Sequence, residues 1–316
     1  MVRLRTAAMV LSFTPLAAAC SSQPGQPDRG DAAPPDGPEA GPPDLRFRGV
    51  GRALTYIGPG FYGSAPQPGQ RGGIRTFEGA EFPIGWIDKD GFHQFLMLTS
   101  PSLPRYSTVT VADAAICPEL LAGATAENRL LLAFGGNLTA RDSRCGIISV
   151  KQLEGGPSYN YIRGGISSPS SPAEIVQQLQ ADETTRSMVV TAISEVDTLY
   201  TFVAEGLSVS PGEPLEQFET RIETPTLAEV ADRAEALSRD GFVITASTWT
   251  GGNYALVGTR PVGSVAQYTA VFRDGGRGGG EAMVGLTRDG YAPVSFTFGR
   301  VSDDDGAWML IGQKPR

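Results

Sequence analysis

The chain has 316 residues, among them 40 Gly and 24 Pro, and a formal charge of -8. An acidic balance without clustered Lys and Arg excludes nucleic acid as a natural partner, because phosphate binding needs a basic surface. It offers no basic patch for anionic lipid either, while a hydrophobic fraction of 41% suits an ordinary folded core.

At the start, Arg3 and Arg5 precede an apolar stretch from Ala7 to Leu16, and Ala17-Ala18-Ala19 lead into Cys20. A basic start, a short apolar core and small residues before a cut have the layout of a secretory signal peptide over 1–19. With cysteine directly after the small residues, the segment resembles a bacterial lipoprotein signal, with Ala17 where the usual pattern has Leu. The resemblance implies cleavage between Ala19 and Cys20, a thioether-linked diacylglycerol on Cys20 and acylation of the new amino terminus. The alternative is an ordinary secretory peptide cut after Ala-x-Ala, with Cys20 incidental. In enterobacterial lipoproteins Asp beside the lipidated cysteine favours the inner membrane, so Ser21 and Ser22 favour the outer one. No later segment has the about 20 apolar residues that span a bilayer, which leaves the lipid as the membrane partner.

Residues 20–46 are rich in Pro, Gly, Ala and Asp and almost free of large apolar groups. Such a stretch cannot bury enough surface to offset its ordering entropy, and its prolines make it extended. It is expected to be a disordered tether, with a folded domain over 47–316. Beyond Cys20 only Cys117 and Cys145 remain. Two cysteines in an exported domain are candidates for a disulfide. Closing a loop of about 28 residues would add about 3 kcal/mol in the chain-entropy picture. The alternative is two buried free thiols.

The domain then repeats. Short apolar strands close each unit: Phe95 to Leu98, Ile147 to Val150, Leu199 to Val203, Tyr254 to Gly258, and Trp308 to Gly312. Tyr200, Tyr254 and Trp308 are spaced by 54 positions, and Arg260-Pro261 and Lys314-Pro315 follow the last two strands at the same spacing. A fixed period of this size points to a repeat architecture. Five units are expected, at 51–101, 105–153, 158–206, 216–261 and 267–316.

The first, from about Ala53 to Ser100, has its helix missing or replaced by Gly- and Pro-rich sequence from Gly58 to Gly73. The second runs Tyr106 to Val111, a helix near Pro118 to Asn128, then Leu130 to Phe134 and the closing strand. The third runs Tyr159 to Arg163, a helix from Ser171 or Pro172 to about Asp182, then Met188 to Ile193. In the fourth, Phe218 to Ile222 alternates as a half-buried strand should. Thr226 with Glu229 reads as a capping box, and Leu227, Val230, Ala231, Ala234 and Leu237 as one apolar helical face. Asp240-Gly241 stops the helix, and Phe242 to Ala246 is the second strand. The fifth runs Tyr268 to Phe272, a helix over Glu281 to Thr287, then Tyr291 to Phe298. The predicted fold class is α+β, in about five strand-helix-strand-strand repeats.

The last two units resemble a small bacterial domain of unknown function, through Gly241-Phe242 with Arg260-Pro261 and Gly290-Tyr291 with Lys314-Pro315. The resemblance covers about a third of the chain and implies a fold without an established chemistry. Five such units fit a closed ring similar in plan to the five-bladed α/β propellers (penteins). An open row and paired small sheets are the alternatives.

Chemistry-bearing residues are sparse. His93, the single histidine, lies in an alternating strand and reads as a strand histidine. Penteins that modify guanidines use a reactive cysteine, a histidine and acidic partners, so Cys117 or Cys145 with His93 is the one start for that chemistry, without a nucleophile near the chain end where that family places it. Two cysteines and one histidine lack the paired spacing of a zinc site, so no metal and no cofactor is expected. Gly275 to Gly280, without the Lys-Ser/Thr of a P-loop, reads as a strand-to-helix loop, and Asp303-Asp304-Asp305-Gly306 as a hairpin turn. Trp86 and Trp249 are the candidate binding aromatics, able to stack on sugar rings or anchor a partner chain; Trp249 is expected in a turn. The expectation is a non-enzymatic envelope lipoprotein that binds an envelope protein or glycan or serves as a scaffold. The alternative is a hydrolase or guanidine-modifying enzyme of ring fold.

Overall fold

The computed structural model describes residues 50–51, 54–62, 71–78, 81–89, 92–99, 106–113, 130–136, 144–150, 160–163, 171–196, 199–208, 215–250, 253–275, 280–302 and 305–316. All of them fall in one compact unit, Ala40–Arg316.

The first strands are β1 (Thr55–Tyr62), β2 (Arg71–Glu78), β3 (Glu81–Lys89) and β4 (Phe92–Thr99). Next come β5 (Tyr106–Asp113), β6 (Leu130–Gly136) and β7 (Arg144–Val150). A mixed segment follows: β8 (Asn160–Arg163), α1 (Pro172–Leu179), α2 (Glu183–Arg186), β9 (Val189–Val196) and β10 (Leu199–Ser208). Then come β11 (Phe218–Glu223), α3 (Val230–Arg239), β12 (Val243–Thr250) and β13 (Asn253–Pro261). The last segment is β14 (Tyr268–Asp274), α4 (Gly280–Arg288), β15 (Ala292–Ser302) and β16 (Asp305–Pro315).

The chain is therefore α+β, built on small antiparallel sheets. Their orders are β1-β4-β3, β2-β5-β7-β6, β8-β10-β9, β11-β13-β12 and β14-β16-β15. In each, a late strand sits in the middle, pairing its predecessor on one side and the leading strand on the other. The register matches between the last two sheets: Phe218 faces Pro261 as Tyr268 faces Pro315. Each of β3, β6, β9, β12 and β15 carries a register shift against its middle strand, at Ile84/Ile87, Leu131/Ala133, Ala192/Val190, Ile244/Ala246 and Pro293/Ser295. Such bulges bend the strand and increase its twist.

Helices lie on strands of another sheet. α1 lies on β11, α3 on β14, and α4 on β1. β2 does the same by pairing, adding itself to the edge of β5. A leading strand with a free edge would otherwise present unpaired amides and carbonyls. The bulged strands touch in succession: β3 with β6, β6 with β9, β9 with β12, β12 with β15, and β15 with β3.

Among the described residues two core clusters stand out. One joins Val230, Ala234, Leu237, Phe242, Ile244, Tyr254 and Leu256 with Ala270, Val294, Met309 and Ile311, so the last two sheets share a single interior. Val50 packs on this same cluster. The other joins Ile175, Leu179, Met188, Val190, Ile193, Phe202 and Ala204 to Ala246, Ala255 and Val257.

The local differences from expectation have identifiable causes. Glu229 does reach back to the Thr226 N–H at 3.1 Å, but the Thr226 hydroxyl donates to the same carboxylate at 2.8 Å and caps no amide. The Thr226–Glu229 stretch is therefore a turn, and α3 begins one turn later. Ala231 is exposed, while Val230, Ala234 and Leu237 are buried. The helix opened by Ser171 and Pro172 ends at Leu179, because Asp182 and Thr185 cap each other and start α2 afresh. In the first segment, Gly58–Tyr62 belongs to β1 and Arg71–Gly73 to β2, so part of the Gly- and Pro-rich stretch is strand. Trp249 lies in β12 opposite Tyr254, not in the turn. The helix expected near Pro118 to Asn128 lies outside the described residues.

Candidate functional site

The recurrent pair of Gly-aromatic and cation-Pro dipeptides forms one structural device, present twice. α3 is followed by Asp240 and α4 by Asp289, and each aspartate by a glycine of positive φ: Gly241 at 84° and Gly290 at 79°. The next amide closes a Schellman bond, Phe242 N–H to Leu237 O at 2.9 Å and Tyr291 N–H to Leu286 O at 2.9 Å. This lays the aromatic ring at the helix end, in reach of the middle strand's cation. Arg260 lies 4.6 Å over the Phe242 ring and donates to the Asp240 carbonyl at 2.6 Å. Lys314 lies 4.2 Å over the Tyr291 ring and donates to the Asp289 carbonyl at 3.0 Å. A cation at a helix C-terminus also opposes the helix dipole.

The first copy is elaborated. Arg221 lies 4.7 Å over Phe242 and pairs with Asp240 at 2.7 Å. Arg260 grips Glu219 through Nε and Nη2, at 3.0 and 2.7 Å. Two guanidiniums thus flank one ring and both find carboxylates. Because these groups are partly exposed, the pairs contribute little by charge alone. The glycines opposite make room: a Cβ on Gly258 would meet Phe242 Cβ at 3.1 Å, and one on Gly312 would meet Leu286 and Tyr291 at 2.9 Å.

A second polar cluster lies at the junction of β12 and β15. Ser247 donates to Ser295 at 2.7 Å, and Thr297 to the Tyr254 hydroxyl at 3.0 Å. Burial holds the Tyr254 phenol well above its ordinary range, opposed in part by the Thr297 bond. Trp249 is half-buried, with its ring edge-on to Tyr254 at 4.7 Å. The aromatic candidate is therefore partly held by the core while bordering this hydroxyl-rich seam. Gln313, fully buried, ties the seam to the device above. It accepts from the Ile244 amide at 2.7 Å and donates to Ser238 at 2.6 Å and the Phe242 carbonyl at 3.1 Å. Nothing in the sequence reading singled out Gln313, Ser295 or Thr297. The signal available was a glutamine two places before Pro315, ending a strand otherwise apolar from Trp308 to Ile311.

Of the remaining candidates, Trp86 falls in β3 where the register shifts between Ile84 and Ile87. His93 is in β4, opposite Tyr62 and Asp88. Cys145 is in β7, opposite Ala112 and Gly136. His93 and Cys145 therefore belong to different sheets. Cys20 and Cys117 lie outside the described residues, as do positions 276–279 and 303–304 of the glycine and aspartate runs. Among the described residues no group of His, Cys, Asp and Glu is arranged to hold a metal ion, and no helix is long and apolar enough to cross a membrane. No family model, no curated protein and no solved structure matches the chain.

Proposed function

We propose that the chain is a lipid-anchored envelope protein whose five sheets close into a ring and serve as a rigid binding or scaffold module. The observation that carries the ring is the neighbourhood of first and last sheets. β15 touches β3 as each earlier bulged strand touches the next, and α4 lies on β1 as α1 lies on β11 and α3 on β14. A Cβ on Gly280 would lie 3.9 Å from the Tyr56 ring, and Val50 packs into the core of the last two sheets. An open row would leave β1 and β3 without these partners.

The scaffold reading is supported by how the polar groups are used. Gln313, Ser238, Ser247, Ser295, Thr297 and Tyr254 bond to groups across their junction, and Arg260 is fixed by Glu219, Phe242 and a helix end. Groups held this way rigidify the packing of neighbouring sheets. The anchor rests on the Ala17-Ala18-Ala19-Cys20 signal and the tether over 20–46, which would present the ring to an envelope protein or glycan. The test is fractionation of a Cys20→Ser variant together with cross-linking capture from intact envelopes. The anchored scaffold predicts that wild type is in the membrane fraction with one recurrent partner and that the variant is released. A Cys20→Ser protein that stays membrane-bound defeats the anchor; turnover of a small substrate by purified protein defeats the scaffold.

A further inference from the structure

We propose that the loop joining β13 to β14, residues 262–267, is a membrane-contacting tip that sets which end of the ring meets the bilayer. The proposal rests on the lipid-anchor reading above. Among the described residues the exposed large hydrophobics are Val262 at 58%, Val265 at 94% and Val284 at 48%, and two of the three lie in this loop. The stretch from Pro261 to Tyr268 contains no charged residue, and Ala266 is exposed as well.

The exposure is built in. Ser264 N–H bonds to the Pro261 carbonyl at 3.1 Å, Gly263 takes a φ of 79°, and Ala266 N–H bonds to the Ser264 hydroxyl at 3.3 Å. The loop is a closed turn that holds Val265 outward. Its base is fixed to the body through Val262 N–H to Gln217 O at 2.9 Å and Arg316 N–H to Gln267 O at 3.0 Å.

What points to lipid as the occupant is where the tether meets the fold. The chain that carries Cys20 joins the described structure at Val50 and Gly51, and a Cβ on Gly51 would lie 3.5 Å from Pro315. The next residue, Arg316, bonds to Gln267 at the loop's end. The valine tip therefore stands beside the point of the fold nearest, along the chain, to the lipid. Behind the tip, Arg260 pairs with Glu219 and Arg316 with Glu235. The tip itself carries no charge from Pro261 to Tyr268, so its contact would come by apolar insertion. A tether turns such weak insertion into an intramolecular event at high effective concentration. The tether limits how far the ring travels, and the loop selects the end that faces the bilayer.

The experiment uses the full lipidated protein in phosphatidylcholine vesicles with or without brominated acyl chains. Two variants are compared with wild type: Val265→Trp, at a site too exposed to disturb packing, and Thr224→Trp, at the far end of β11. Flotation first reports attachment. The proposal predicts that all three proteins float, and that brominated chains quench the Val265→Trp protein more than wild type or Thr224→Trp, in which Trp86, Trp249 and Trp308 set the background. Flotation without selective quenching at Val265 overturns the membrane tip and leaves the anchor standing. A blue shift at Val265 without bromine quenching means that protein covers the loop, and overturns it too. Failure of wild type to float removes the anchor itself, and this proposal with it.

Discussion

The side-chain carbonyl of Gln313 accepts the backbone N–H of Ile244 at 2.7 Å, across the junction between the β11-β13-β12 and β14-β16-β15 sheets. Ile244 precedes the bulge at Thr245, where the ladder of β12 shifts register. Gln313 also donates to Ser238 and to the Phe242 carbonyl, so one buried amide serves groups of a neighbouring helix, turn and strand. Gln313→Leu keeps the volume and removes all three bonds, taking from the buried Ile244 amide its side-chain acceptor, while Ser238 keeps its bond to the Ala234 carbonyl. Leaving buried polar groups unsatisfied costs about 1–3 kcal/mol. Denaturant unfolding should show a lower midpoint for the leucine variant, with the circular dichroism of the folded state retained. An unchanged midpoint would mean that the sheets are not coupled through this residue.

Arg260 over Phe242 and Lys314 over Tyr291 predict a coupling rather than a simple loss. Arg260→Met removes a helix-end donor, a carboxylate partner and a cation over a ring. Cation–π contacts at partly exposed sites contribute about 0.5–1 kcal/mol. A double-mutant cycle of Arg260→Met with Phe242→Leu should give a coupling energy of that size and favourable sign. Arg221, on the same ring, should show the same sign with Phe242. Strict additivity would mean that the cations merely lie near the ring.

Three glycines should respond in opposite directions to the same change. Gly312→Ala drives a methyl to 2.9 Å from Leu286 and Tyr291, and Gly258→Ala to 3.1 Å from Phe242. Overpacking of this kind costs about 1–3 kcal/mol, with the Gly312 variant worse affected. Gly285, within α4, has nothing within 4 Å of the added carbon. Gly285→Ala should stabilise by about 0.5–1 kcal/mol through helix propensity. Thermal melts of the three variants check the order.

Burial raises the Tyr254 phenol well above its ordinary 10.0, and Tyr56 and Tyr268 are raised for the same reason. A folded-state pKa above the unfolded value gives a contribution fully present below the unfolded pKa. That contribution is lost as pH rises through the folded pKa. Stability should therefore fall on the alkaline side above about pH 10. Tyr254→Phe should flatten this limb while losing the Thr297 hydrogen bond at neutral pH. Absorbance titration of wild type against Tyr254→Phe checks it: the Tyr254 phenol should ionise together with unfolding rather than ahead of it. Its ionisation in a still-folded protein would contradict the packing described.

Much of this architecture is legible in the sequence because the period is kept by residues with few substitutes. Gly258 and Gly312 are needed where helix-end side chains rest on a strand, and Gly241 and Gly290 where φ is positive. What stays hidden depends on neighbours. No local pattern says that β2 would cover β5 where other segments use a helix, since strand addition is decided by an edge distant in sequence. Thr226 and Glu229 satisfy the letters of a capping box, yet the Thr226 hydroxyl is turned toward the Glu229 carboxylate and not toward a helix amide. Gln313 and the Ser247–Ser295 pair draw their meaning from the adjoining sheet, 69 and 48 positions away. The candidate aromatics are legible as residue types only: Trp249 is half-buried against Tyr254, a matter of packing that alternation does not encode.

The central claim is that the last unit closes on the first, and its most direct measure is a nuclear Overhauser contact between the Tyr56 ring and the Cα protons of Gly280. A carbon built on Gly280 would lie 3.9 Å from the ring at Cε1. Closure predicts a cross-peak between these residues in the folded protein, lost when Tyr56 is replaced by Leu. A Tyr56 ring with no contact to α4, packed instead within its own sheet, would contradict it.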